Sequence, residues 1–474
     1  MERYTLKYDV IIVGAGPAGI FSALELTEKT NLRVLVLDRG KEIDNRKCPS
    51  KRGFKCMHCK PCDVLAGWGG AGAYSDGKLV ISEENGGGWL DQYVPVEELV
   101  ALLKYCDDMY LKFGASKTVY GTENEEIDKI VKEAAHVGLI LKKQMVRHMG
   151  TDKCLEVLTH MFNALENKIT FKSKTDVKCL LIEDNVIQGV ETTSGEKYYS
   201  TYVIIAPGRS GAEWLKTEAQ NRRLEIANRH VDIGVRVEVL ASVMEKLTKI
   251  LYEPKLVYFS KQFEDQVRTF CVSPYGEVTT EFYDGVLTVN GGSQAESKTN
   301  NTNFSILVST QFTEPFKEPI AYGKYIARLS NLLSGGVMVQ RLGDLTAGRR
   351  STSERIARSI VQPTLKNATP GDLSFVLPYR HLIGIREILQ VLDMIVPGVY
   401  SRDTLLYGVE VKFYSSTLQL NGSLETVIRN LFTIGDGAGV ARGLIQASAS
   451  GVIVAREILK REKFLITYST PPTH

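Results

Sequence analysis

Residues 8–19 read YDVIIVGAGPAG, and the step from an apolar run into closely spaced glycines sets the reading of everything that follows. Tyr8 to Val13 is short and rich in β-branched residues, which predicts a strand. Gly14, Gly16 and Gly19 then fall at the G-x-G-x-x-G spacing, a helical pattern starts at Pro17 (PAGIFSALELTEK), and a second strand, LRVLVLD, ends in Asp38. The glycines have separate tasks: Gly14 permits the tight turn, Gly16 lets a pyrophosphate approach the backbone, and Gly19 lets the helix pack against the strand. The helix N-terminus adds unpaired N–H groups and the positive end of its dipole. Asp38, 19 residues beyond Gly19, stands where an acid bonds the adenosine ribose hydroxyls. Spacing alone is weak evidence, since Gly67, Gly69 and Gly72 in GWGGAG satisfy it with no strand before them. Strand, glycines, helix, strand and acid in that order predict a dinucleotide-binding unit.

The chain has 474 residues, 43% of them hydrophobic, enough for a sizeable core and roughly two or three domains. Lys plus Arg (58) nearly balances Asp plus Glu (55), and the signs are interspersed, which argues against a partner chosen by bulk charge, nucleic acid or membrane surface. The sequence starts straight into a strand without the features of a secretory signal, and no apolar run approaches the ~20 residues needed to span a bilayer. The expectation is a cytoplasmic protein with no membrane span, in a compartment where clustered cysteines serve metals or redox chemistry rather than structural disulfides.

Two distant segments separate FAD from NAD. Residues 197–211 (KYYSTYVIIAPGRSG) show a polar edge strand, then a buried strand that stops at Ala206-Pro207-Gly208. Residues 431–446 (LFTIGDGAGVARGLIQ) give a strand, Gly435-Asp436-Gly437, and a small-residue helix start expected over 437–449. Here the sequence resembles the FAD flavoproteins with a glutathione-reductase-type nucleotide domain. In that superfamily an ATG-like turn lies near the adenine half, and the Asp of a GD motif lies on the ribityl chain and pyrophosphate. APG replaces ATG here, while Asp436 matches the GD motif. No second strand–GxGxxG–helix unit exists, so any NAD(P)H would bind transiently over the flavin.

Along the chain, 169–205 reads as a β-meander, 92–168 carries helical periodicity, and the composition shifts to longer β-like runs from about 234 to 405. The expected architecture is α/β (α+β overall): a Rossmann-like FAD-binding domain assembled from 1–233 and 406–463, with a Cys-rich insertion at 44–66, a β-rich substrate or cap domain at 234–405, and a tail at 464–474. GWGGAGAYSDGKL (67–79), RHMGTDKCLEVL (147–158), RTFCVSPYGEV (268–278), VNGGS (289–293), QRLGDL (340–345), LYGVEVK (406–412) and GDGAGVARGLIQASASG (435–451) extend the resemblance over nearly the whole chain. Together they are similar to the FAD-dependent dehydrogenases grouped as NAD(P)/FAD-dependent oxidoreductases, a label that specifies a cofactor and no substrate.

The residues assigned to the cofactor are Gly14, Gly16, Pro17, Ala18 and Gly19; Asp38 and Arg39; Gly69, Gly70, Ala71 and Gly72 in a loop that runs beside the isoalloxazine in related flavoproteins; Ala206 and Gly208; and Gly435, Asp436, Gly437, Gly443 and Leu444. Small residues in the loop let backbone approach the ring and tune its potential. Candidates for chemistry are Asp76 and Lys78, against a reading in which Asp76 and Gly77 only make a turn; Glu410 with Lys412, which are either a functional pair or a solvated strand face; and Arg442, after the GDGAG loop. Arg209, Arg236, Arg349 and Arg350 point only faintly to an anionic substrate. His148 reads as a helix-entry residue.

Residues 48–62, CPSKRGFKCMHCKPC, hold Cys48, Cys56, Cys59 and Cys62 at C-x7-C-x2-C-x2-C spacing. Two-residue gaps let a tight loop aim thiolates at one point. The spacing fits a [4Fe–4S] cluster, a structural zinc ion, or thiols that are free, oxidised or paired, among them a dithiol that exchanges electrons with the flavin, with the nearby lysines and Arg52 offsetting the charge. The resulting expectation is an FAD-dependent oxidoreductase that moves a hydride to or from a small organic substrate, as in reducing or forming a carbon–carbon double bond. The alternative is an electron-transfer or thiol–disulfide flavoprotein serving a redox protein partner. A flavin-binding RNA protein would need a basic groove with interleaved aromatics, which the sequence lacks.

Overall fold

A computed structural model describes residues 7–28, 30–49, 57, 59–83, 89–227, 230–283, 285–293, 298–310, 312, 318–413 and 417–462. Its chain divides into two compact units, one built from 1–117, 151–227 and 415–474, the other from 118–150 and 228–414.

The first unit begins with β1 (Lys7–Val13), α1 (Pro17–Glu28) and β2 (Val34–Leu37) and continues, after helices Val96–Lys112 and Thr151–Leu165, with β3 (Thr170–Lys172), β4 (Val177–Glu183), β5 (Val186–Thr192), β6 (Lys197–Ile205) and α2 (Gly208–Asn221). The chain then builds the second unit with β7 (Val231–Leu240), β8 (Lys255–Phe259), β9 (Gln266–Ser273), β10 (Asn301–Thr310), β11 (Met338–Arg341) and β12 (Leu405–Phe413). It returns to the first unit as β13 (Leu431–Thr433) and α3 (Leu444–Arg461).

The sheet of the first unit runs β3-β2-β1-β6-β5-β4, with β13 also paired to β6. β6 explains the mixture. Its first half alternates between exposed and buried side chains and pairs antiparallel with β5, while Tyr202–Ile205 is buried throughout and runs parallel between β1 and β13. Continuous burial is the pattern of a parallel strand covered on both faces, alternation that of an antiparallel one with a wet side. The expected polar edge strand and buried strand are thus two halves of one element. α1 and α3 lie together: a Cβ on Gly451 would stand 2.2 Å from Ala18 O, and Ser22 Oγ donates to Gly451 O at 3.1 Å. Only a missing side chain lets the two helices approach so closely. Fourteen of the 18 residues of α3 are buried, so it is an internal helix rather than an amphipathic one.

The second unit is a predominantly antiparallel sheet in the order Thr369–Pro370, β11, β12, β7, β10, β9, β8, Ile140–Lys142. Along β7, Val231, Ile233, Val235, Val237 and Val239 enter the apolar core with helices Ala241–Leu251 and Tyr379–Asp393, and Asp232, Arg236 and Glu238 occupy the alternate positions. Two segments expected with the nucleotide-binding part belong here instead. Ile140–Lys142 pairs with β8, and β12, which holds residues 406–413, pairs with β7 and β11. Sheet pairing decides their membership, and single-chain periodicity does not report it. Among the described residues no helix is long and apolar enough to cross a membrane.

Candidate functional site

The first unit contains a groove lined by the β1–α1 turn (Val13, Gly14, Gly16, Pro17, Ala18), the end of β2 (Leu37, Asp38, Arg39), Leu65 and Ala66, Gly70–Gly72 with Ser75, residues 175–177, the β6–α2 turn (206–211) with Trp214, and Gly435, Asp436, Gly443, Leu444 and Ala447. It encloses about 1220 Å³ of empty space, part of it open to solvent. Six stretches far apart in sequence therefore meet along one channel.

The β1–α1 turn is tightly fixed. Gly14 has φ +107°, and a Cβ there would lie 2.0 Å from Ala206 O; on Gly19 it would lie 2.1 Å from Gly14 O. Gly19, Gly69 and Gly437 do not line the groove; Gly19 and Gly437 are sites of close backbone approach, and a Cβ on Gly69 (φ +82°) would meet the side chains of Leu158 and Ala73. Since the first turn of a helix has no internal partners for its N–H groups, the N-terminus of α1 brings donors and a positive dipole end to the groove.

Asp38 follows β2 and lines the groove, and its carboxylate is already engaged. Oδ2 accepts from Ala15 N at 2.9 Å, and Oδ1 accepts from Gly40 N at 2.7 Å and Gly67 N at 2.8 Å. One buried acid thus ties the glycine turn, its own strand end and the GWGG loop together. Oδ2 keeps a second acceptor position, which suits a ribose hydroxyl. Arg39 donates from Nη2 to Ser210 O at 2.9 Å, and its buried Nε has no protein partner. Across the groove Arg209 Nε meets Asp436 Oδ2 at 2.9 Å.

The glycine loop is anchored from behind. Trp68 is fully buried, donates from Nε1 to Leu158 O at 3.1 Å, and packs edge-on against Phe162 and Phe171. Gly69 N donates to Ala15 O at 2.7 Å. Arg46, 5% exposed, donates to the carbonyls of Asp63 (3.0 Å), Val64 (3.1 Å), Gly70 (2.7 Å) and Trp68. Burial pulls its guanidinium below the usual arginine range, with Tyr74 and nearby acids opposing. One cation therefore grips both the stem of the Cys-rich insertion and the loop on the groove wall.

Cys48 and Cys62 are half-buried, Cys59 is exposed, and Cys56 lies outside the described residues. Among the described residues no three of His, Cys, Asp and Glu converge as metal ligands, so the expected four-thiolate site is not gathered there. The contacts present serve another purpose: Leu65 N and Ala66 N close a turn on Cys62 O, Lys41 Nζ pairs with Asp63 at 2.7 Å, and Arg46 holds the carbonyls beyond.

Asp76 and Lys78 pair at 2.8 Å, largely buried, and neither lines the groove; Arg442 is buried and also absent from the lining. The helix expected from residue 437 begins at Leu444, because Gly439 (φ +68°) and Gly443 (φ +83°) take left-handed conformations that interrupt it. Gly443 and Leu444 do line the groove. Thr175, Asp176, Val177, Ser210 and Trp214 also line the groove and were not singled out in the sequence; their one signal is position at or just beyond the turns that follow or precede strands of the first unit's sheet.

In the second unit Glu410 and Lys412 meet at 2.7 Å and are buried, so they form a pair and not a solvated face. Arg236, fully buried, joins them at 3.5 Å and donates to Asn303 (2.8 Å), Ser305 (2.8 Å), Cys271 O (2.8 Å) and Ser273 (3.3 Å). His148 is stacked on Tyr252 and bonds Ser293 Oγ at 3.2 Å, a more specific setting than a helix entry.

Residues 231–413 match the family model described as FAD-dependent protein, C-terminal domain-like. Over 96% of its length the chain is 26% identical to an uncharacterized protein of Clostridium beijerinckii, 81% of which it covers. Among solved structures it is similar to L-proline dehydrogenase from P. horikoshii (15% identity, 96% of this chain and 94% of that one, TM-score 0.44). It is also similar to a formate oxidase of Aspergillus oryzae RIB40 (12% identity, 97% and 99%, TM-score 0.44).

Proposed function

We propose that this protein is an FAD-dependent oxidoreductase, a dehydrogenase or reductase of a small organic substrate. The observation that carries the reading is the groove, in which the glycine turn, the acid ending β2, the β6–α2 turn and the Gly435–Asp436 turn share one channel. The family match over 231–413 supports the same cofactor. The groove residues fit it: α1 offers unpaired N–H groups for a diphosphate, Asp38 an acceptor for a ribose, and Gly70–Gly72 a wall with no bulky side chain where a planar ring needs room. Bound FAD supplies the hydride acceptor or donor, while the chain binds it, orients it and sets the polarity around it.

The test is an absorption spectrum of the purified protein with chromatographic identification of any released flavin. Retained FAD, or its tight uptake by flavin-stripped protein, is expected; a protein that takes up no flavin refutes the reading. Anaerobic bleaching of the oxidised flavin by a panel of alcohols, amines and saturated acids, and reoxidation of the reduced flavin by α,β-unsaturated acids, then find the reaction class, for which carbon–carbon dehydrogenation or reduction is the first to try. NAD(P)H as transient donor is checked by the same bleaching. The C-x7-C-x2-C-x2-C spacing of Cys48, Cys56, Cys59 and Cys62 is what supports a metal or iron–sulfur occupant, and iron and zinc analysis of anaerobically purified protein tests it.

A further inference from the structure

Backbone contacts fix where the β6–α2 turn and the Gly435–Asp436–Gly437 turn meet. A Cβ on Gly14 would lie 2.0 Å from Ala206 O, one on Gly437 1.9 Å from Gly208 O, and one on Gly435 3.1 Å from Ala18 Cβ. Both turns therefore close against the N-terminal end of α1, where the backbone donors for a diphosphate lie. Arg209 follows Gly208 and Asp436 precedes Gly437, so the same packing brings their side chains together at 2.9 Å. They are 31% and 22% exposed and both line the groove.

The charges along the groove leave a deficit. Asp38, Asp176 and Asp436 outnumber Arg39 and Arg209, and a dinucleotide diphosphate adds two further negative charges. The partial charge of one helix terminus does not balance this. Arg39 is tied by Nη2 to Ser210 O, and Arg209, on the turn that closes against the α1 terminus, is the other cation lining the groove. Its planar fork is suited to two phosphate oxygens, and anchoring by Nε fixes the plane of that fork.

We propose that Arg209 is the diphosphate-binding cation of this groove and that Asp436 is its positioning residue. The proposal rests on the FAD reading above and extends it from the glycine turn to a residue that turn does not contain. Asp436 then has a role toward Arg209 in addition to any contact with the ribityl chain.

The test titrates flavin-stripped wild type and the variants R209A, R209K and D436A with FAD and follows quenching of flavin fluorescence, at about 50 and about 500 mM salt. R209A should weaken FAD at least about ten-fold at low salt, the loss expected for one charge-assisted bond, and should flatten the salt dependence. R209K should recover part of the affinity because it keeps the charge without the fork. D436A should give a smaller loss that shrinks in the R209A background, because the part of it that acts through Arg209 is already gone; a D436A loss of the same size in both backgrounds overturns the positioning role. Circular dichroism and melting of the ligand-free variants separate binding from folding. R209A that binds FAD as tightly as wild type, or more weakly with an unchanged salt slope, overturns the proposal and leaves the FAD reading intact. A wild type that takes up no FAD overturns both.

Discussion

Replacing Asp38 with alanine removes the acceptor for three backbone N–H groups at once, those of Ala15, Gly40 and Gly67, at 2.7–2.9 Å. The side chain is only 8% exposed, so water substitutes for it poorly. A hydrogen bond to a charged group contributes about 1.5–3 kcal/mol. The three bonds share one carboxylate and do not add independently, which brings the total to about 3–6 kcal/mol. That is a large part of the ~5–15 kcal/mol that keeps a domain folded. For a unit of this size each kcal/mol moves Tm by about 2–4 °C, so ligand-free D38A should melt on the order of 10 °C below wild type. Asp38→Asn keeps one acceptor oxygen without the charge and should lose roughly half as much. Calorimetry of flavin-stripped protein measures this directly, with FAD titration alongside. If D38A melts within about 2 °C of wild type and loses only its FAD affinity, the clamp is refuted and Asp38 acts through the ribose alone.

Gly451→Val should separate α1 from α3, because the added Cβ falls 2.2 Å from Ala18 O; a Tm lower by several degrees is expected, following the ~1–3 kcal/mol or more of an overpacked core, and an unchanged Tm contradicts the close approach. Arg236→Met leaves Asn303, Ser305, Ser273 and Glu410 facing an apolar side chain in a fully buried site, and should cost about 3–5 kcal/mol in denaturant melts; an R236M protein as stable as wild type would show the cluster to be dispensable. His381, 3% exposed and bonded to Thr310, has its imidazole pushed by burial from 6.5 down to about 4. The unfolded chain therefore binds a proton that the folded one refuses between those values, and stability should fall by up to about 3 kcal/mol as pH drops from 6.5 toward 4, then level off. H381N should flatten that portion of the stability–pH curve, and an H381N curve parallel to wild type rules His381 out as its source.

The comparison between sequence and structure is clearest at single positions. Gly14, Gly16, Asp38 and Asp436 all line the groove, and their positions were legible because each follows from local geometry: a turn, a helix start, a strand end. Asp38 shows the limit. Its position was evident, yet the three N–H groups that hold its carboxylate come from two loops and its own strand end, and no local pattern announces them. Arg209 was one arginine among several until the meeting of Gly208 with Gly437 placed it opposite Asp436. Glu410 and Lys412 show the same limit from another side, for alternation along a strand says which residues share a face but not whether that face is wet.

What the sequence by itself determined is the strand–turn–helix–strand unit at the start of the chain: the period of each segment, the left-handed turns that only glycine adopts cheaply, and the acid that ends β2 are all properties of a few consecutive residues. The tertiary structure alone decided which stretches share the groove, that 118–150 and 406–413 belong to the second unit, that α3 starts at Leu444, and that the described cysteines do not converge. These depend on pairing and packing between residues far apart in the chain, where the outcome is set by which strands find each other and how closely two backbones can approach.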